Sequence, residues 1–300
     1  MAALEYTTLF SNHIRELYGR ELVSIDLYNS NNDLQIINGK QLKVPKLTVS
    51  GYKDHNRSAI GFNTGSYSNT YQLVELDHDR DIEFGIDPMD VDETNQVVSI
   101  ANIQKRFDST QAIPEQDCYT FSKLYSEFKR AGGTVSNTTL TKANVLEDFD
   151  NKLSELEDAG VPLSRVIMYV TPQYKKLLKE AEGISRSMNV NSNNGTIDRR
   201  VHTLDDIKKI VTVPSERFKT AYNFTEGYAV AGSGKQINYI IIDPEAQVSR
   251  VKYAYIKVFT PGTDSRTADK YMYQNRKFNG TFAIDELITK GCKINAEAEA

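Results

Sequence analysis

The chain has 300 residues, 39% of them hydrophobic, enough for a real core in one large domain or two ordinary ones. Its 36 basic and 40 acidic residues leave a net charge of −4, so no basic field is available to grip duplex DNA. No apolar run approaches the roughly 20 residues that span a bilayer, Met1-Ala-Ala-Leu-Glu-Tyr is not a secretory signal, and Cys118 and Cys292 form neither a disulfide framework nor a zinc module. The expectation is a protein made in a cytosol with reduced thiols and no membrane partner.

Residues 4–28 carry a short amphipathic stretch (Leu9, Ile14, Leu17, Tyr18) and then Leu22-Val-Ser-Ile-Asp, read as an arm, with a turn at the polar run Asn29–Asp33. Residues 42–87 alternate, are rich in β-branched side chains and are punctuated by Gly61 and Gly65. They predict one strand near Lys43–Gly51 and one long strand or two over Tyr71–Gly85. Such an excursion buries little of its own surface and needs something to lie on. From Asp92 the period becomes helical, with Thr94 as a cap and Ile100, Ile103 and Phe107 on one face. After Pro114, which kinks this helix or begins its second half, Cys118, Phe121, Tyr125 and Phe128 recur until Ala131-Gly-Gly stops it.

A helix is predicted over 142–158, then the strand Arg165-Val-Ile-Met-Tyr-Val, which leads through Thr171-Pro172 into another helix. Asn189–Gly195 reads as a loop. Ile207–Pro214, Ile237–Pro244 and Val248–Phe259 read as strands, and the tail from Asn295 as loose. The pattern is α+β.

Motifs with chemistry fail on inspection. The acidic run from Asp77 begins like a calcium loop, but Ile82 stands where glycine is needed and Pro88 where glutamate is needed. Gly232-Ser-Gly-Lys-Gln lacks the first glycine and the Ser/Thr of a phosphate loop, and a strand follows it, so it reads as a hairpin turn. The histidines His13, His55, His78 and His202 are scattered. Asp87, Asp90, Asp92 and Glu93 could supply a carboxylate pair for acid/base work, but they also sit where negative charge favours a helix start, which is the preferred reading. No cofactor, metal or catalytic residue is expected.

The segments Ile86-Asp-Pro-Met-Asp-Val-Asp-Glu-Thr-Asn, Ala101-Asn and Ile113-Pro-Glu-Gln-Asp-Cys-Tyr-Thr-Phe-Ser-Lys-Leu resemble the centre of tailed-bacteriophage major capsid proteins with the Hong Kong 97 fold. The likeness is particularly to those of phages infecting low-GC Gram-positive bacteria. Val44-Pro-Lys-Leu-Thr-Val-Ser-Gly, Arg165–Pro172, Val213–Lys219 and Ile237–Ala246 agree in order, over about residues 40–285. The resemblance implies an N-terminal arm (1–42), an extended β-loop (43–87), a peripheral domain with a spine helix (88–159 and 246–290), an axial domain (160–245) and a C-terminal tail (291–300). It implies a shell subunit, not an enzyme, that forms hexameric and pentameric capsomers of an icosahedral virion assembled in a bacterial cytoplasm. Implied partners are a separate scaffolding protein, a portal protein and, through non-specific contact, packaged double-stranded DNA. An encapsulin-like compartment shell is the alternative within the fold, and a carboxylate-dependent hydrolase the alternative outside it.

Two groups of residues carry specific expectations. Phe121, Tyr125 and Phe128 should form the core face of the spine helix. Glu75, Asp77, Asp79, Asp81 and Glu83 alternate along one face of an extended segment and repel one another if bare. Their expected partners, across a subunit contact, are Arg250, Lys252, Arg266, Lys270, Arg276 and Lys277.

Overall fold

The computed structural model describes residues 22–28, 41–55, 61–93, 100–181, 207–262 and 268–298, so Thr94, Arg266, the loop 189–195 and most of the arm lie outside the described residues. Residues 22–24 lead into a helical turn, Ile25–Tyr28 (α1), which buries Leu27. Strands β1 (Gln41–Val49) and β2 (Tyr67–Glu75) then pair antiparallel, from Gln41 opposite Glu75 to Val49 opposite Tyr67. Among the described residues they form a sheet of their own.

The expected loop 43–87 is divided at Leu76. That side chain is buried against Gly280, where a Cβ would come within 2.3 Å of Leu76 Cδ2. Beyond it, β3 (His78–Ile86) belongs to a different sheet. Helix α2 (Pro88–Glu93) starts at its proline, with Asp87 Oδ1 accepting the Met89 amide at 3.0 Å.

The predicted spine is continuous: α3 (Ile100–Phe107), a π-helical turn (Asp108–Ala112) and α4 (Ile113–Arg130). Pro114, at the second position of α4, has no N–H for the Thr110 carbonyl, and the helix widens just before it. That carbonyl accepts instead from Tyr228 Oη, at 3.4 Å. At the other end Gly133 N reaches Phe128 O and Gly132 N reaches Lys129 O, and Gly132 has φ +87°, so the stop requires glycine.

Helix α5 (Val145–Asp158), strand β4 (Ile167–Val170), helix α6 (Pro172–Glu180) and strand β5 (Lys209–Thr212) follow. Thr171 Oγ1 caps α6 by accepting the Tyr174 amide at 3.2 Å. A small hairpin, β6 (Tyr222–Asn223) and β7 (Ala229–Val230), precedes β8 (Ile237–Ile242). The long strands β9 (Gln247–Phe259) and β10 (Tyr271–Ala283) lead to α7 (Asp285–Gly291) and β11 (Cys292–Ala296).

Two sheets flank α4. The first has the order β11-β8-β4-β5, with only β4 and β5 parallel. Phe121, Leu124, Tyr125 and Phe128 of α4 pack on its Ile167, Tyr169, Ile240 and Ile242 face. Helices α5 and α6 cover the opposite face, where Met168, Val170, Tyr239 and Ile241 point. Burial on both faces explains why β4 and β8 are almost wholly apolar. The second sheet, β3-β10-β9, lies on the other side of α4. Thirteen of the eighteen α4 residues are therefore buried, polar Gln116, Asp117 and Thr120 included.

The tail is not loose at Asn295. Strand β11 pairs with β8, and fully buried Asn295 donates through Nδ2 to Thr138 O and Ser136 Oγ, each at 3.2 Å. The inward positions Cys292, Ile294 and Ala296 make too short an alternation to stand out in the sequence.

Candidate assembly surface

The β1–β2 hairpin has two unlike faces. On one, Val44 packs with Val248 and Phe282, Lys46 pairs with Glu286 at 2.8 Å, and Gln72 Nε2 donates at 2.9 Å to both Ala283 O and Asp285 Oδ1. This face seats the hairpin base on the end of β10 and the start of α7. The register places Leu47, Val49, Tyr67, Tyr71 and Leu73 on the other face, where they are 58–82% exposed. Tyr52 and Phe62, near the hairpin tip, are exposed as well. Exposed Asn69, opposite Leu47, shares this largely apolar face, and a face of this kind is a candidate contact surface. Its odd-numbered alternation is visible in the sequence, but which face the protein body would cover is not.

The acidic ladder is split between β2, which ends at Glu75, and β3, which begins at His78, with all five residues exposed. It is answered in part within the same chain. Asp77 accepts from Tyr119 Oη at 2.6 Å and from Lys123 Nζ at 2.7 Å. Partial burial pushes the Asp77 carboxyl up, but the Lys123 and Tyr119 hydrogen bonds outweigh it and hold the group below its usual range. Arg276 spans Asp79 with two bonds, 3.1 and 2.7 Å, and stands opposite Asp81 in register. Glu83 accepts from Gln274 Nε2 at 2.6 Å. Asp77, Asp79 and Glu83 therefore have partners within their own chain. Lys123 and Tyr119, on the spine, are the partners that sequence spacing did not show.

The expected basic partners are scattered. Arg276 serves Asp79, while the Lys252 ammonium lies 5.4 Å above the Phe278 ring. Lys270 is exposed and Arg250 partly buried. Lys277 points the other way, into a groove of about 1250 Å³ between the second sheet and the π-turn of the spine. Burial there pulls its ammonium down to about 7, although Asp108 and Glu115 oppose the shift. Nearby, Arg80 donates to Glu115 Oε1 at 2.6 Å, Phe224 O at 2.5 Å and Gly227 O at 3.3 Å, tying β3 to the spine and to the loop between β6 and β7. His78 stacks on Tyr119 with ring centroids 4.0 Å apart.

Burial pushes the Cys118 thiol up to about 12 and raises that of Cys292 too, so both stay protonated at neutral pH. The glycine-rich run is a turn closed by Gly234 N to Ala231 O, 2.8 Å, and leads into β8 rather than a helix. Asp87 acts as a helix cap.

No family model matches the sequence, and no curated protein does. Solved structures match over most of the chain. The mature capsid of bacteriophage PhiM1 aligns with 87% of this chain and 83% of its own, at 12% identity and a TM-score of 0.63. The capsid of Cyanophage P-SCSP1u aligns over 92% and 88%, at 12% identity and 0.58. A structure from Mycobacterium phage Che8 aligns over 86% and 85%, at 14% identity and 0.58. A long helix between two sheets, a projecting hairpin and these alignments together show that the chain has the α+β, Hong Kong 97-like fold of tailed-phage capsid structures.

Proposed function

We propose that this chain is the major capsid protein of a tailed bacteriophage, a structural subunit that assembles with copies of itself into capsomers and a closed shell. The observation that carries this reading is the hairpin, which seats one face on its own chain and leaves Leu47, Val49, Tyr67, Tyr71 and Leu73 uncovered. A second copy supplies the cover. Contact of this head-to-tail kind closes into rings when the rotation between copies allows. The hairpin (41–75) is the extended loop, α3 to α4 the spine of a peripheral domain shared with the second sheet, and the β4-to-β8 region an axial domain.

The acidic residues then act as a charged rim beside the apolar contact, facing Arg250, Lys252, Arg266 and Lys270 of the neighbour. Arg276 serves its own chain first and Lys277 is turned into the groove. Further partners on this reading are a scaffolding protein, a portal protein and packaged double-stranded DNA. The site of action is the virion, after assembly in a bacterial cytoplasm. Electron microscopy and sedimentation of the purified chain across concentration and salt, with and without scaffold, test the proposal. Rings or shells are expected. A chain that remains monomeric under every condition overturns it.

A further inference from the structure

Asp117 lies on α4 with none of its surface exposed. Its Oδ1 accepts the Ser24 amide at 3.1 Å and the Ser24 hydroxyl at 2.8 Å. Its Oδ2 lies 3.4 Å from the Val23 amide and 3.3 Å from Arg217 Nη1. Val23 and Ser24 open the strap of residues 22–28, and Arg217 ends the short turn Ser215–Arg217 after β5. Two segments far apart in the chain thus meet on the two oxygens of one buried side chain.

A buried carboxylate is tolerated only when its charge and its lone pairs are both met. Here the duties are divided: Arg217 supplies the charge, and the strap supplies neutral donors. Burial pushes the carboxyl up, and the Ser24, Arg217 and Val23 contacts offset that push only in part, so the group stays above its usual range. Without Arg217 the anion faces neutral donors only, which favours a proton on Oδ2, the oxygen Arg217 has left, and a protonated oxygen is a poorer acceptor for the Val23 amide of the strap. Without the strap, Arg217 faces an anion stripped of its other donors. The far end of the strap has its own hold, through Tyr28 Oη with Thr120 Oγ1 at 2.9 Å and Gln247 Nε2 to Leu27 O at 2.7 Å. Leu22, Ile25 and Tyr28 also form one wall of the Lys277 groove.

We propose that Asp117 couples the strap to the Ser215–Arg217 turn, so that displacing either one frees the other and the strap swings away from the groove about its anchored Tyr28 end. The device belongs to the single chain and does not depend on the assembly reading.

Hydrogen exchange on the full-length, unassembled chain tests it. In Arg217→Gln, exchange at 22–25 rises about tenfold or more, as expected for loss of a charged hydrogen-bond partner, with little change in α5 or α6. In Ser24→Ala, exchange rises at 215–218, since coupling is reciprocal. The double variant shows less than the product of the two effects, and Arg217→Lys restores part of the protection. If each substitution loosens only its own segment, or if the two effects multiply as independent events, the coupling is overturned. Should Arg217→Gln fail to fold, Ser24→Ala and Arg217→Lys decide the question by the same readings.

Discussion

Phe121 sits between the two sheets with its ring in edge-on contact with Tyr169 and Phe218, at 5.1 and 4.9 Å between centroids, and none of it exposed. Truncation to alanine there should cost about 3–5 kcal/mol, as for other buried aromatic side chains. Chemical denaturation of Phe121→Ala against the parent measures it, and an unchanged midpoint would contradict this packing. Lys277 makes an opposite prediction. Its folded value near 7 is lowered from the usual 10.5, so between these two pH values the unfolded chain holds a proton that the folded chain has released. This group's contribution to stability therefore rises as pH increases through that window, and its cost is largest and constant below it. Lys277→Met should raise the melting temperature near pH 7, with an advantage that shrinks toward pH 10. A Met variant whose advantage holds constant over that range would show that Lys277 is charged throughout.

At the scale of elements, the hairpin carries the assembly reading. Its exposed Leu47, Val49 and Leu73 each offer up to about 1.5–3 kcal/mol on full burial, whereas an exposed ion pair on the acidic rim is worth about 0–1 kcal/mol. Leu47→Glu with Leu73→Glu should therefore abolish association and leave the melting temperature of the monomer nearly unchanged, because both side chains are mostly exposed on their own chain. Sedimentation velocity and a thermal melt on the same sample separate the two outcomes; normal assembly of this variant would refute the hairpin contact. β11 makes the reverse case. Removing residues 292–298 deletes an edge strand of the core sheet together with Ile294, so the truncated chain should lose cooperative unfolding rather than assembly alone.

For the whole molecule, the proposed apolar contact with a charged rim should separate rate from persistence. Charges speed encounter, and apolar burial slows release. At about 1 M salt, where the Debye length is near 3 Å, association should slow while assembled particles persist. Light scattering during assembly and after a salt jump reads both. Particles that fall apart in the jump would mean that the rim, not the hairpin face, holds the copies together.

Local chemistry was enough to mark most elements. Thr171-Pro172 starts a helix because one residue caps it and the next needs no partner for a missing N–H. Gly132 stops the spine because its φ of +87° is strained for a side chain. The periods of α4, α5 and β9 likewise declare themselves in residue spacing. What the tertiary structure alone decided lies between elements distant in the chain. It divided the β-excursion at Leu76, because Gly280, two hundred residues later, leaves room for that side chain. It answered Asp77 from Lys123 and Asp79 from Arg276, and it turned Lys277 into the groove while neighbouring Arg276 faces outward. It drew Asn295 into the core sheet through partners at Ser136 and Thr138. Spacing in one dimension reports which residues share a face, but the charge or cavity that the face meets is set by segments brought together only when the chain folds.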